Sequence, residues 1–173
     1  MLSFTQVSHH FGTRTLFREL TLSLPESRVV LTGANGSGKT TLLLIAAGIL
    51  PPSQGVVSFN QLNVADISLR RQIGISASKV NLPGFFTVTD MLAFHGRQFN
   101  CVPDCLWADY RWVNAFGLTP FLNTRVEDLS LGNYKKLSLI LALMHSPELL
   151  LLDEPTNGLD DKTRSALEEC FET

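Results

Sequence analysis

A glycine-rich stretch at residues 33–41 constrains this chain more strongly than any other part of its sequence. It reads Gly-Ala-Asn-Gly-Ser-Gly-Lys-Thr-Thr and matches the pattern G-x-x-x-x-G-K-[ST]. An apolar run at 29–31 precedes it, and a second apolar run at 42–47 follows it. The order of strand, glycine loop and helix is the context in which this pattern binds phosphate. The alternative is a glycine-rich turn that leads into an ordinary buried helix.

The residue types in this loop explain why it suits a nucleotide phosphate. Glycines let the backbone curve so that successive N–H groups point at one anion, and the following helix adds the partial positive charge of its N-terminus. Lys39 can reach the β- and γ-phosphates, and the Thr40 hydroxyl can ligate Mg²⁺. The candidate binding residues of the loop are Gly33, Asn35, Gly36, Ser37, Gly38, Lys39, Thr40 and Thr41. By itself the loop does not distinguish a kinase from a GTPase or a transporter.

Length and charge narrow the class of protein. A chain of 173 residues fits one domain with a small subdomain. The formal charge is −2, and no run of Lys and Arg exceeds two residues, which argues against a nucleic-acid partner. Three cysteines, at 101, 105 and 170, are an odd number and are read as reduced thiols in a cytosolic protein.

No apolar segment approaches the roughly 18 residues of a membrane-spanning helix. The longest apolar-plus-glycine run covers residues 42–50, directly behind the glycine loop. We therefore expect a chain that is soluble by itself, and a partner that spans the bilayer if the protein acts at a membrane.

Hydrophobic periodicity predicts an α/β fold with a mixed sheet and antiparallel strands near the N-terminus. Weak alternation predicts a first strand, and His9–Gly12 is read as a turn. The glycine loop is followed by a helix that runs to about Gly48. The predicted strands of this half lie at 2–8, 20–24, 29–32 and 56–59, with a further short candidate at 73–75.

Residues 79–128 read as an inserted helical subdomain, and residues 1–78 and 129–173 as the core of a single domain. Thr89 or Asp90 is expected to cap a helix that ends near Phe99, and Pro103-Asp104 to begin another that stops at Gly117.

The C-terminal part is predicted as helix, strand and helix. Ser130 caps a helix whose body at 137–144 is apolar almost all round, which indicates a buried helix. Four leucines at 149–152 form a buried strand. A last helix at 161–173 is expected to turn four residues inward: Ala166, Leu167, Cys170 and Phe171.

The strand at 149–152 ends in Asp153-Glu154, which is the acidic half of a nucleotide site. A carboxylate at the end of a buried strand can hold Mg²⁺, usually through water, and this role falls to Asp153. The next carboxylate, Glu154, is placed to polarise an attacking water as a general base. The alternative is an exposed acidic pair at a strand end. Hydrolysis is favoured over group transfer because no acceptor-binding pattern is visible.

Residues 129–133, Leu-Ser-Leu-Gly-Asn, form a second helix N-terminus. Ser130 and the following amides can bind an anion there. Because the chain has one phosphate loop, this second anion site makes sense if it completes the site of another subunit. The alternative is a capped core helix.

Taken together, the chain resembles the nucleotide-binding domain of an ATP-binding cassette (ABC) transporter. The matching segments, in family order, are Walker A at 33–41, the signature at 129–133, Walker B at 149–154 and the segment into the D-loop at 155–160. The resemblance implies that Phe11 stacks on adenine and that Asp160 is the D-loop aspartate. It also implies that Ser130 and Gly132 face the ATP of a second ATP-binding domain, which is identical or different.

The resemblance implies a working cycle. ATP and Mg²⁺ would close a head-to-tail dimer, and hydrolysis would reopen it and drive an integral membrane subunit docked at the helical subdomain. Lys39 and Glu154 would be the catalytic residues. We expect a peripheral protein on the cytoplasmic face of the bacterial inner membrane, of exporter type. Two alternatives stay open: a non-transport ABC ATPase, and a hydrolysis-impaired ATP-binding regulatory module.

Several positions depart from the family pattern. Leu131 replaces the usual Gly of the signature and Asn133 the usual Gln, while Ser78 stands where the family has a Gln that contacts Mg²⁺ and water. Metal sensing at Ser78 is therefore in question. Residues 161–173 contain no His, so the switch histidine of the family is missing. We expect a truncated or fragmentary chain whose hydrolysis alone is weak or absent.

Overall fold

The computed structural model describes residues 1–171, which divide into two compact units with the boundary between Ile73 and Gly74. Among these residues, no helix combines the length and the apolar character needed to cross a bilayer.

The first unit is built on an antiparallel sheet. Its strands are β1 (Leu2–Phe11), β2 (Arg14–Leu24), β3 (Gln54–Phe59) and β4 (Leu62–Asn63), in the order β2-β1-β3-β4. One helix, α1 (Lys39–Ala46), lies between β2 and β3 in the chain. Side chains alternate across β1 and β3, so that Phe4 and its register partner Val57 are both buried.

The β1–β2 hairpin corrects the predicted turn at residues 9–12. β1 continues through Phe11, which pairs with Arg14, so that only Gly12 and Thr13 form the loop. A tight two-residue hairpin loop needs a positive φ at its first residue, and Gly12 has a φ of 56°. Phe11 and Arg14 consequently share the tip of the hairpin.

The predicted strand at residues 29–32 is wrong. The structure has no strand there, and Val30 is 78% exposed, with Val29 and Leu31 about half exposed. A strand exists only through the hydrogen bonds of a neighbour, and an apolar run of three residues does not supply one. The glycine loop is therefore approached by extended, irregular chain.

The second unit joins a short two-stranded sheet to a helical core. β5 (Ile73–Ser76) pairs with β6 (Leu149–Leu152), and the helices are α2 (Val88–Phe99), α3 (Arg111–Ala115), α4 (Leu131–Leu143) and α5 (Asp161–Glu169). The prediction of a buried α4 is confirmed, since Leu137, Leu139 and Ile140 are fully buried in the core cluster. Helices α2, α3 and α5 contribute to the same cluster.

Three helix boundaries differ from the sequence predictions. Thr87, not Thr89 or Asp90, caps α2, because its side chain and that of Asp90 form a reciprocal capping box. The helix expected from Pro103 is instead a 3₁₀ turn at Trp107–Asp109 followed by the five residues of α3. The last helix ends at Glu169 with Leu167 fully buried, and its predicted end at 172–173 lies outside the described residues.

Candidate functional site

The glycine loop depends on its last glycine for its shape. Gly38 stands immediately before α1 with a φ of 101°, in the left-handed region that favours glycine. A Cβ atom on Gly38 would lie 2.8 Å from Cζ of Phe17, which is too close for any other residue without movement. Gly38 therefore lets α1 begin directly at Lys39, with the first N–H groups of the helix beside the loop.

Lys39 closes the loop from within. Its Nζ atom donates hydrogen bonds to the carbonyl oxygens of Gly33 at 2.8 Å and Ala34 at 3.0 Å. The backbone N–H of Ser37 also bonds to the Ala34 oxygen, at 3.2 Å. An ammonium group has three N–H donors, so one donor of Lys39 remains for an anion.

The other predicted loop residues differ in accessibility. Gly33, Asn35, Gly36 and Ser37 belong to an exposed segment. Thr40 is half-buried in the first turn of α1, and Thr41 is buried. Because Thr41 is buried, we expect it to bind an anion through its backbone N–H more readily than through its hydroxyl. That N–H lies in the first turn of α1, where backbone N–H groups have no partner within the helix.

Arg14 is a loop contact that the motif did not reveal. Its Nη2 atom donates a 3.0 Å hydrogen bond to the carbonyl oxygen of Gly36. The available signal was the hairpin: a two-residue loop after Phe11 places Arg14 opposite it in register. Phe11 is half exposed, and its ring packs edge-on against His9 with centroids 4.7 Å apart. The hairpin tip that carries Phe11 is thereby tied to the phosphate loop.

Asp153, in the second unit, is buried and forms hydrogen bonds through both its backbone and its side chain. Its N–H donates to the carbonyl oxygen of Ser76 at 2.9 Å, and its own carbonyl oxygen accepts from Nζ of Lys135 at 2.6 Å. The Ser78 hydroxyl donates to Oδ2 at 2.9 Å. Burial lowers the pKa of Lys135, while the carboxylates of Asp153 and Glu154 oppose that shift.

Glu154 is exposed and lies in the left-handed region, with a φ of 47°. Asn157 donates from Nδ2 to Oε2 of Glu154 at 2.7 Å, and its backbone N–H bonds to the Glu154 carbonyl oxygen at 3.2 Å. This turn directs the carboxylate of Glu154. Sequence reasoning missed Asn157, although its three-residue spacing from an acidic residue is typical of a turn.

The signature segment begins α4 as predicted. The Ser130 hydroxyl accepts a 3.3 Å hydrogen bond from the N–H of Asn133 and caps the helix. Leu131, the bulky departure from the family pattern, is 90% exposed. A Cβ on Gly132 would lie 3.0 Å from the carbonyl oxygen of Gly158, so a glycine at this position lets the segment after Glu154 approach the start of α4.

Asp160 links the segment that follows Glu154 to helices α4 and α5. Its carboxylate caps α5 by accepting bonds from the N–H and the hydroxyl of Thr163, both at 2.8 Å. It also forms a salt bridge with Lys136 of α4, whose side chain is largely buried. The hydrogen bond from Lys136, which has the larger effect, and those from Thr163 hold the pKa of the Asp160 carboxyl well below its usual range. The sequence alone shows Lys136 only as one of two adjacent lysines, at 135 and 136.

Mg²⁺ requires oxygen ligands, and the residues present fit it in kind. Asp153 supplies a buried carboxylate already oriented by a hydroxyl donor. Among residues 1–171 no cluster of three or more His, Cys, Asp or Glu could hold a metal alone. A bound Mg²⁺ would therefore also need hydroxyl, phosphate and water oxygens, as is usual for this ion.

Comparisons with known proteins agree with this arrangement of motifs. The family model described as ABC transporter matches residues 17–157. The uncharacterized ABC transporter ATP-binding protein YhaQ of Bacillus subtilis is 33% identical, over 98% of this chain and 57% of its own length. The Nod factor export ATP-binding protein I of Rhizobium johnstonii is also 33% identical, over 94% of this chain and 54% of its own. The chain thus spans somewhat more than half the length of these relatives.

The fold class predicted from the sequence is confirmed by a solved structure. The dimeric structure of MJ0796, a bacterial ABC transporter cassette, superposes with a TM-score of 0.81 and covers 99% of this chain and 83% of the other. The two sequences are 23% identical, so this likeness concerns the fold.

Proposed function

The chain belongs to the ABC transporter family, and we propose that it is an ATP-binding and ATP-hydrolysing subunit that powers a membrane transporter. The phosphate loop carries this proposal. Gly38 starts α1 at Lys39, and the ammonium group of Lys39 is held among loop carbonyls with one donor left for phosphate. Phe11, tied to the loop through Arg14, would stack on the adenine.

In this proposal the second unit supplies the hydrolytic residues. Asp153 would offer its carboxylate to Mg²⁺, and the Thr40 hydroxyl of the phosphate loop is a further proposed ligand of the ion. Bound Mg²⁺ would neutralise charge at the phosphates. Glu154 would take the proton of the attacking water as a general base, with its carboxylate aimed by Asn157. Lys39 would stabilise the charge that develops on the transferred phosphoryl group.

A second ATP-binding domain would complete the site. Ser130 and Gly132 lie at the N-terminus of α4, where free N–H groups favour an anion. Leu131 is an apolar side chain exposed at the same point, which suits a surface that a partner covers. Asp160 and Lys136 would hold the D-loop segment beside it.

The membrane partner would dock on the helical part of the chain, residues 79–128. Phe85 is 70% exposed there, and Phe94 of α2 is half exposed, with Phe86 packed between the two rings. Exposed aromatic residues of this kind suit a protein interface. We propose a peripheral location on the cytoplasmic face of the inner membrane. An exporter is favoured, because one relative is named as an export ATP-binding protein.

The variant Glu154→Gln tests this proposal in the full-length protein. Glutamine has the same shape and still accepts the hydrogen bond of Asn157, but it cannot take a proton. We expect ATP binding to persist, phosphate release to fall by a factor of about 100 or more, and an ATP-dependent dimer to accumulate in light scattering. The control is Glu168→Gln on the exposed face of α5.

Hydrolysis by Glu154→Gln at the parent rate would overturn the role of Glu154. The two alternative functions, a hydrolysis-impaired regulatory module and a non-transport ABC ATPase, predict different results. A regulatory module would bind ATP and dimerise, yet the parent protein itself would release no phosphate. A non-transport ATPase would not co-purify with an integral membrane subunit.

A further inference from the structure

We propose that His9 is a positioning residue that holds the ring of Phe11 in the orientation needed to stack on an aromatic base. The proposal rests on the proposed function, because it concerns the ring on which the adenine of ATP would stack. The residues that carry it all belong to the first unit, as does the phosphate loop.

The rings of His9 and Phe11 meet because of their spacing on β1. Residues two apart on a strand point to the same face of the sheet. The two ring centroids lie 4.7 Å apart and the ring planes cross at 83°, which is the edge-to-face arrangement that aromatic pairs favour. Phe11 is still 50% exposed, so this contact leaves part of its side chain open to a ligand.

Packing holds the ring of His9 in place. His9 is 5% exposed, and both of its ring nitrogens are buried without a hydrogen-bond partner among the residues that the structure describes. Closely packed side chains stay in one rotamer, so His9 presents a fixed surface to Phe11. An exposed ring at the end of a hairpin would otherwise change rotamer freely. His9 therefore contributes to this part of the sheet through the surface of its ring.

The same hairpin fixes where Phe11 lies relative to the phosphate loop. Arg14, the register partner of Phe11, donates to the carbonyl oxygen of Gly36 at 3.0 Å. Phe17, the register partner of His9, lies against the last glycine of the loop, on which a Cβ atom would come within 2.8 Å of the Phe17 ring. The backbone of the hairpin is thus tied to the loop on both sides. The orientation of the Phe11 ring then decides whether a base can stack while its phosphates occupy the loop.

The test separates binding of the base from binding of the phosphates. Affinities of the full-length protein for the ATP analogue AMP-PNP and for inorganic tripolyphosphate are measured by displacement of a labelled ATP analogue, and their ratio is the contribution of the nucleoside. Phe11→Ala should lower this ratio by about 10-fold or more, because the base loses its stacking partner. We expect His9→Ala to lower the ratio by about 5-fold and to leave the tripolyphosphate affinity within about 2-fold of the parent.

Matched variants test whether the aromatic ring of His9 matters. His9→Phe keeps a ring and loses no hydrogen bond to the described residues, so its ratio should stay within about 2-fold of the parent. His9→Leu fills the space without a ring and should lower the ratio as His9→Ala does. His10→Ala, at the exposed next position of β1, should change neither affinity. In the Phe11→Ala background, His9→Ala should lower the ratio no further, because His9 acts through Phe11.

The possible failures are distinguishable. A parent-like ratio in His9→Ala and His9→Leu, together with a lowered ratio in Phe11→Ala, overturns the role of His9 and leaves the proposed function standing. A further drop in the double variant does the same, since His9 would then act independently of Phe11. An unchanged ratio in Phe11→Ala overturns stacking on Phe11 and the role of His9 with it. Absence of AMP-PNP binding by the parent protein overturns the proposed function itself.

Discussion

The Nζ atom of Lys39 donates a 2.8 Å hydrogen bond to the carbonyl oxygen of Gly33, which stands at the beginning of the same loop. A second bond reaches Ala34. Lys39 therefore shapes the loop as well as charging it: it draws the first and last parts of the glycine-rich stretch together around one ammonium group. This dual role raises the expected cost of removing the side chain, because both the cation and the loop geometry are lost.

Substitution of Lys39 by Ala should lower the affinity for ATP by roughly 100-fold, because charge-assisted bonds are stronger than neutral ones and the loop loses its internal contacts. Fluorescence titration with a labelled ATP analogue measures this directly. Lys162→Ala, which removes an exposed lysine of α5, is the matched control. If Lys39→Ala binds ATP as tightly as the parent, the loop does not bind phosphate.

Arg14→Ala should weaken ATP binding by about 5-fold, since it removes one hydrogen bond from the loop and the link to the hairpin that carries Phe11. The loss should be smaller than that of Lys39→Ala because Lys39 keeps its own bonds. Arg18→Ala makes the same charge change elsewhere on β2 and serves as the control. Equal effects of Arg14→Ala and Arg18→Ala would reduce the role of Arg14 to overall charge.

Asn157→Ala should reduce the rate of ATP hydrolysis by about 5- to 10-fold without changing ATP affinity, because it removes the 2.7 Å bond that directs Glu154. Steady-state phosphate release and equilibrium binding are measured on the same preparation. Asn123→Ala, at another exposed asparagine, is the control. A change in affinity with an unchanged rate at saturating ATP would contradict a role at Glu154.

Local patterns predicted one helix cap and one strand of the second unit. The cap of α4 followed from Ser130, and the strand at 149–152 followed from a run of four leucines, which β5 pairs with in the folded chain. The strand expected at 29–32 failed, because pairing depends on a neighbour distant in sequence. The predicted cap of α2 at Thr89 was wrong by two residues. The side chains of Thr87 and Asp90 each accept a hydrogen bond from the backbone N–H of the other, and Thr89 does not have the three-residue spacing from Asp90 that this requires.

The candidate site divides in the same way. Its motif residues were named from the sequence, because their types and spacing carry the chemistry. Three residues that contact them were not named: Arg14, Lys135 and Asn157 are recognised only through contacts made by folding. Such contacts leave no periodic signal in a single sequence.

Asp160→Asn should lower the free energy of unfolding by about 0.5 to 1 kcal/mol, because the salt bridge with Lys136 is lost while the cap of α5 is kept. Asp160→Ala should lose about 1 kcal/mol more through the cap. The pKa of Asp160 is lower in the folded chain than in the unfolded chain. Its contribution to the free energy of unfolding is therefore complete at pH values above the usual carboxyl pKa, and it is lost only as the pH falls below that pKa. Urea unfolding at pH 7 and pH 5 should therefore give the same difference between parent and Asp160→Asn. Asp161→Asn is the control.

The His95 ring gives the protein a stability that declines in mild acid. It stacks on Phe99 with centroids 4.3 Å apart, and its Nε2 lies 3.4 Å from Nδ1 of His145. Burial, followed by the nearby His145, lowers its pKa to about 4. Between pH 6.5 and 4 the unfolded chain therefore gains a proton that the folded chain does not. The free energy of unfolding consequently decreases as the pH is lowered through that window, by up to about 3 kcal/mol. Urea unfolding of His95→Gln should lose that part of the pH dependence, whereas the exposed control His10→Gln should retain it. An identical pH profile in His95→Gln and the parent would contradict the assignment to His95.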